Sequence, residues 1–256
     1  MVPRSDAKGI WGCYPQKNEK NMSHHRRMSG VKPNILKKIL REITELNADA
    51  NSNIYAHINS DDIQSLKVLV IGPSDSPYYG GFFLFSVGFP PDFPFSPPKV
   101  NFLTPKYRTG CRMHPNLYQE GRVCLSILNT WGKSEWSPAL TLEKIFLTIQ
   151  GLLDDNPLAH EPGQERYGRD SPEAVNYRMV ALHRTLKTGV IDMFAHPDVP
   201  QFFLGKMVEF FRRNREKYLE QVEKLASNDG KYVACFHGDE RIDYQALKNK
   251  LMNVFD

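Results

Sequence analysis

The chain has 256 residues, enough for one large domain or a domain with an extension, and its 41% hydrophobic and 11% aromatic content suits a soluble globular protein. A net charge of +4 is mild, and no cluster of aromatic and basic residues of the kind that stacks bases accompanies it, so nothing argues for nucleic-acid binding. The longest apolar runs fall short of the roughly 18 residues a membrane span needs. No signal-peptide pattern opens the chain, and four scattered cysteines (Cys13, Cys111, Cys124, Cys235) form no disulfide framework. The cytoplasm, the nucleus or both, as reducing compartments, are the expected location.

Residues 1–31 are polar and without period, apart from Trp11 and Tyr14, and read as a disordered tail. The adjacent pair His24 and His25 has no further ligands to make a metal site. Pro33 opens the first helix, which runs to Leu46, with Ile35, Ile39, Ile43 and Leu46 on one stripe. Lys37, Lys38 and Arg41 fall off that stripe, as a solvated face or as a docking surface for an acidic partner. Strands follow at Ile54–Ile58, Leu66–Ile71, Phe82–Val87 and Lys99–Leu103. A dense turn signal spans 72–81, and five prolines within 89–98 mark a rigid crossing. Short loops between successive strands predict an antiparallel meander.

After the strands comes a polar turn, His114-Pro115-Asn116, with Cys124 eight residues beyond the Asn. A helix over Thr141–Leu153 has a wide apolar face and ends at Asn156-Pro157. The remaining pattern is helical. It comprises a segment capped by Ser171-Pro172-Glu173 and carrying Val175, Met179, Leu182, Leu186, Val190 and Met193, a helix over 201–226, and a last helix over Asp243–Phe255. The order of elements predicts an α+β layer with an all-helical C-terminal extension.

Cys124 admits four readings. It can be a buried structural thiol. It can be a metal ligand with Cys111 and His114, although a fourth ligand is not obvious. It can be the nucleophile of a Cys-His hydrolase, with His114 or His160 as base. Lastly, it can carry an acyl group as a thioester. Such a carrier passes its cargo to an amine without losing it to water. It needs a sulfur nucleophile and a neutral oxyanion donor, without a strong base beside the sulfur. The amide of Asn116 is such a donor, and equally a turn residue bonding its own backbone. The neighbouring residues fit this fourth reading best.

The motifs Gly72-Pro73-Ser74-Asp75-Ser76-Pro77-Tyr78 with Gly80-Gly81, Phe93-Pro94-Phe95-Ser96-Pro97-Pro98-Lys99-Val100, His114-Pro115-Asn116, Gly121-Arg122-Val123-Cys124-Leu125 and Trp136-Ser137-Pro138-Ala139-Leu140 stand together in this order. In that combination the chain resembles a ubiquitin-conjugating enzyme of the UBC fold over roughly residues 32–176. That leaves 177–256 as the helical extension. Cys124-Leu125-Ser126-Ile127-Leu128, Thr130-Trp131-Gly132, the delayed Trp136, Glu161-Pro162-Gly163 and Asp243-Tyr244-Gln245 resemble the Z type of that family. Large hybrid conjugating-ligase enzymes share the Thr-Trp-Gly insertion but are much longer.

The resemblance implies that Cys124 accepts ubiquitin, or a ubiquitin-like modifier, from an activating enzyme and gives it to a substrate lysine, usually with a ligase. ATP is used by the activating enzyme, so no cofactor or metal is implied here. A monomer is expected. It also implies roles by position. Asn116 assists catalysis, with His114, Pro115 and Ser126 as support in the active-site loop. Phe95, Pro138 and Ala139 face ligases, and Lys37, Lys38 and Arg41 face the activating enzyme. Two positions depart from the family pattern. Ser126 stands where Asp is common, and the acid after the central helix that receives the lysine proton is displaced. His160 is the stand-in, with Asp154, Asp155 or Glu161 as alternatives. A catalytically silent UBC-fold adaptor remains the competing class, and Cys124 argues against it.

Overall fold

The computed structural model describes residues 33–49, 52–59, 62–104 and 112–255. The readings made on residues 1–31 and on Cys111 lie outside them. Helix α1 spans Pro33–Ala48 and buries Ile39, Ile43 and Leu46, as its stripe predicts. Glu42 lies on the same buried side because it has work there. Its Oε2 accepts the backbone N–H of Leu142 at 3.0 Å, at the start of α2 (Leu142–Leu152), and Lys38 Nζ sits 2.8 Å from its other oxygen. A carboxylate at a helix N-terminus meets unpaired N–H groups and the positive end of the dipole. Lys38 is thus partly withdrawn from the basic face, while Lys37 and Arg41 remain exposed.

Strands β1 (Ile54–Asn59), β2 (Asp62–Ile71), β3 (Phe82–Gly88) and β4 (Lys99–Phe102) form an antiparallel sheet in chain order. Its inner face, with Ile54, Val68, Val70, Phe83 and Phe85, packs against α1 and against Ile145, Phe146 and Ile149 of α2. Past Lys67 the strand is apolar without alternation over residues 68–71, because the outer face is covered as well. Leu69, Ile71, Phe82 and Leu84 lie there against the C-terminal segment. In the 72–81 turn Gly80 adopts φ 70°, a left-handed backbone suited to glycine. The buried Tyr78 of this turn donates its hydroxyl to the Met113 carbonyl at 3.1 Å, latching the turn to the active-site segment.

The C-terminal segment departs from its predicted helices in three ways. The first helix is α only over Pro172–Arg184 (α3), then widens to a π-helix over Thr185–Ile191 and tightens to a 3-10 turn at Asp192–Ala195. The wider turn runs beside the sheet edge, where an added Cβ on Gly189 would stand 3.6 Å from Gly81 Cα. Leu182, Leu186, Val190 and Met193 are buried as the spacing predicts, but Val175 is exposed, and Ala174, Tyr177 and Val180 are buried at the start of the helix. Second, the predicted 201–226 helix is two helices, α4 (Gln201–Arg213) and α5 (Arg215–Glu223). Asn214 separates them because its side chain is taken up locally: Nδ2 donates to the Phe210 carbonyl and Oδ1 accepts the Tyr79 hydroxyl, both at 2.8 Å. Third, a short hairpin of β5 (Tyr232–Val233) and β6 (Glu240–Arg241) precedes α6 (Tyr244–Phe255).

Tyr218 of α5, fully buried, donates to the Gly80 carbonyl at 2.6 Å, and Phe211 packs on it with ring centroids 4.8 Å apart. Phe211→Ala is therefore expected to cost about 3–5 kcal/mol. Because the sheet has both cores on its faces, denaturant unfolding followed by circular dichroism should still show one transition. Two transitions would mean that the C-terminal segment unfolds on its own.

Candidate active site

The turn carrying His114, Pro115 and Asn116 folds back on the segment carrying Cys124. Asn116 accepts the Cys124 N–H on its backbone carbonyl at 2.9 Å, and its side-chain Nδ2 donates to the Cys124 carbonyl, also at 2.9 Å. The amide has a second N–H beyond that bond. Between the two segments Gly121 turns the chain at φ 99°, and the Tyr118 N–H donates to the Arg122 carbonyl at 2.9 Å. The step from Asn116 to Cys124 is the length of this tight return.

Cys124 is a free thiol and only 2% exposed. Arg122, on the solvent side, donates from Nε to Sγ at 3.3 Å, and that bond raises the Arg122 pKa. Among the described residues no histidine nitrogen bonds Sγ. His114 is fully buried, and its Nδ1 accepts the Asn116 N–H at 3.0 Å. Burial and the neighbouring His160 hold its pKa well below the usual imidazole value, so the ring is neutral. It is a wedge under the turn. A neutral ring that accepts at Nδ1 carries its proton on Nε2, so it fits neither the hydrolase base nor the metal ligand that its spacing allowed, and the metal reading also needs Cys111, outside the described residues.

His160 lies tilted against His114 with ring centroids 5.2 Å apart, next to the active-site turn. Its Nε2 lies 2.8 Å from Asp154 Oδ2, so the proton-acceptor candidates His160 and Asp154 form a hydrogen-bonded pair. Asp155 instead pairs with Arg169 at 2.9 Å, and Glu161 with Arg112 and His237. Ser126 donates to Glu135, closing the 130–135 insertion against the loop after the cysteine.

Sequence reasoning missed the strap on the other side. The Thr130 hydroxyl accepts the Leu125 N–H at 2.9 Å and lies 2.6 Å from the Val123 carbonyl, so one side chain grips the backbone on both sides of Cys124. Its Thr-Trp-Gly setting was visible, but only as a subtype mark. The two loops that carry the residues expected to face ligases are tied together by Trp136, whose Nε1 donates to the Pro94 carbonyl at 3.0 Å. That bond brings the loop of Phe95, 79% exposed, beside the turn of Pro138 and Ala139, both exposed.

A model of the family described as ubiquitin-conjugating enzyme matches residues 38–179, more than half of the chain. The chain belongs to the ubiquitin-conjugating enzyme family. Within that family its likeness is to the Z type. Ubiquitin-conjugating enzyme E2 Z of Xenopus tropicalis is 33% identical over 222 residues, 85% of this chain and 70% of that protein. The Homo sapiens E2 Z is 34% identical over 224 residues, 86% of this chain but 62% of its own length. The chain thus spans under two thirds of that relative. The probable ubiquitin-conjugating enzyme protein 17 of Caenorhabditis elegans is 35% identical, over 80% of this chain and 29% of that protein. Among solved structures, the E2 domain of a Toxoplasma gondii ubiquitin conjugating enzyme is 30% identical, covers 60% of this chain and 97% of that one, and superposes with a TM-score of 0.46.

Proposed function

We propose that this family member carries ubiquitin, or a ubiquitin-like modifier, as a thioester on Cys124. The single observation that supports this most is the pinning of the Asn116 amide to the Cys124 backbone. It places a neutral donor beside a free thiol that none of the described histidines bonds. In the first step Sγ attacks the carbonyl carbon of the activating enzyme's thioester, and that enzyme's thiol leaves. In the second a neutral lysine amine attacks the new thioester, the Cys124 sulfur leaves with the electron pair, and the amine proton goes to an acceptor. Asn116 donates to the oxyanion formed in between. With no base among the described residues bonded to Sγ, nothing there activates water, and the acyl group survives until an amine arrives.

The test is incubation with ubiquitin, ATP and a panel of activating enzymes, read on a non-reducing gel. A band that disappears on thiol reduction is the expected result, and its absence with every activating enzyme and modifier sinks the reading. The same assay tests whether the likeness to the Z type extends to a dual-specificity activating enzyme and a tandem ubiquitin-like modifier. The exposed Lys37 and Arg41, with Lys38 beside them, form the proposed contact for the activating enzyme. Phe95, Pro138 and Ala139 form the contact for ligases. A reducing compartment, cytoplasmic or nuclear, suits a working thiol.

The lysine step needs a proton acceptor, because an amine of pKa about 10.4 is only about one part in a thousand neutral near pH 7.4. We assign this role to the His160–Asp154 pair. Asp154 holds Nε2, which leaves Nδ1 as the basic nitrogen. His160→Ala should slow discharge to free lysine about 10-fold, below the usual span for a lost general base because Asp154 stays as a second acceptor. Discharge measured from pH 6 to 9 that matches the parent chain would remove His160 from the mechanism.

A further inference from the structure

We propose that the C-terminal hairpin sets the geometry of the active-site turn through Arg112, which acts as a positioning residue for acyl transfer from Cys124. The inference rests on the thioester reading above. Arg112 lies two residues before His114, and each of its ends is held from a different place. Its guanidinium donates to the Pro115 carbonyl inside the active-site turn. It also lies 4.0 Å over the Tyr118 ring. The Arg122 guanidinium lies 4.5 Å from the same ring while its Nε reaches Cys124 Sγ. Arg112 and the cation that touches the nucleophile therefore share one aromatic ring.

Two guanidiniums on one ring repel each other, and a carboxylate offsets that charge. Glu161 supplies it, with Oε2 3.5 Å from Arg112 Nη2. Glu161 is in turn held by His237 Nε2 at 2.9 Å, and the other His237 nitrogen meets the Tyr177 hydroxyl at 2.9 Å. Burial, with Arg112 and Arg184 adding to it, lowers the His237 pKa to about 4. The ring is neutral near pH 7, so it donates to the Glu161 carboxylate and accepts from Tyr177. His237 sits in the loop between β5 and β6.

The backbone of Arg112 is fixed by the last residue of α3, which the same hairpin holds in place. Buried Arg184 donates to the Arg112 carbonyl at 2.9 Å and to the Gly238 carbonyl at 3.2 Å, and its Nε bonds Glu240 at 2.9 Å. Burial alone would raise the Glu240 pKa, but hydrogen bonds from His183 and Arg184 bring it down to about 2. The anion is therefore permanent. A cleft of about 250 Å³ lined by Arg112, Tyr118, Gln119, Glu120 and His237 marks where the hairpin meets the active-site segment. Arg184, His237 and Glu240 all lie beyond residue 179, where the match to the family model ends. The hold on Arg112 thus passes through Glu161 inside the match to residues of the chain beyond it. Bonds of this kind decide rate because a misplacement of about 1 Å at a reacting centre can cost about 10²-fold.

The test uses the full chain, loaded with modifier and then chased with free lysine in single turnover. Glu161→Gln and His237→Gln are each expected to slow the maximal discharge rate about 10-fold, with the half-saturating lysine concentration unchanged, as for lost positioning and not lost binding. In an Arg112→Met background, which keeps bulk over Tyr118 without charge, the same two changes should add less than about two-fold, since they act through one residue. Discharge within about two-fold of the parent for both single variants, or full effects persisting in the Arg112→Met background, would overturn the proposal. If Arg112→Met does not fold, Arg112→Lys takes its place. Lysine keeps a charge for Glu161 but not the planar stack on Tyr118, so slowed discharge at an unchanged unfolding midpoint is expected, and parent-like discharge overturns the proposal. A parent chain that never loads defeats the thioester reading itself, a result distinct from loading with unaltered discharge.

Discussion

Cys124→Ser is expected to give a modifier adduct that survives reducing conditions, because the hydroxyl forms an oxyester where the thiol forms a thioester. The adduct should accumulate slowly, since a serine hydroxyl is a far weaker nucleophile than a thiol without a base to activate it, and none of the described histidines bonds Sγ. Cys124→Ala should carry nothing. The pair of variants separates three readings of this buried thiol. A structural cysteine predicts that the alanine variant loads as well as the parent. A hydrolase predicts turnover without a stable adduct. An acyl carrier predicts loss in one variant and a trapped ester in the other. The variants are informative because they are nearly isosteric. At 2% exposure the side chain is packed, and neither change adds volume. A reduction-sensitive band from Cys124→Ala would mean that another cysteine carries the acyl group.

Asn116→Ala is expected to slow lysine discharge by about 10²–10³, the usual cost of one oxyanion donor, while changing loading only a few-fold. Magnitude decides between the two readings of this residue. The bond from Asn116 Nδ2 to the Cys124 carbonyl is real structure at 2.9 Å, so its loss must loosen the loop. A single neutral hydrogen bond contributes about 0.5–1.5 kcal/mol net, which even if felt entirely at the site is about 10-fold. It would fall on loading and discharge alike. A discharge-specific loss beyond that requires a donor that acts mainly when negative charge develops. Equal losses in both steps, matched by a lower unfolding midpoint, would leave Asn116 a purely structural residue.

Much of the site was legible because its signals are local. The turn residues His114, Pro115 and Asn116, the Gly121 return and the eight-residue step to Cys124 are fixed by short-range backbone chemistry, and the structure joins them as that chemistry requires. Phe95, Pro138 and Ala139 are exposed, and the Trp136 bond to Pro94 ties their loops together. Three things were not legible. The neutral state of His114 depends on burial, which a sequence does not display. Thr130 carries no signal of its own, because threonine in a loop is common. The split at Asn214 arises from a Tyr79 hydroxyl that the helix periodicity does not contain.

The sequence by itself determined the meander, the first and central helices and the thiol with its amide partner, since period, caps and turn residues act over a few positions. It also showed a strand ending in the apolar stretch 68–71, which lies between two covered faces in the fold. What covers the second face was decided only by the tertiary structure. Tyr218 reaches Gly80 across 138 positions and His237 reaches Glu161 across 76. Such pairings depend on which surfaces fit once the helices and strands have formed, and no local period encodes them. Through them the C-terminal segment becomes part of the setting in which Cys124 works.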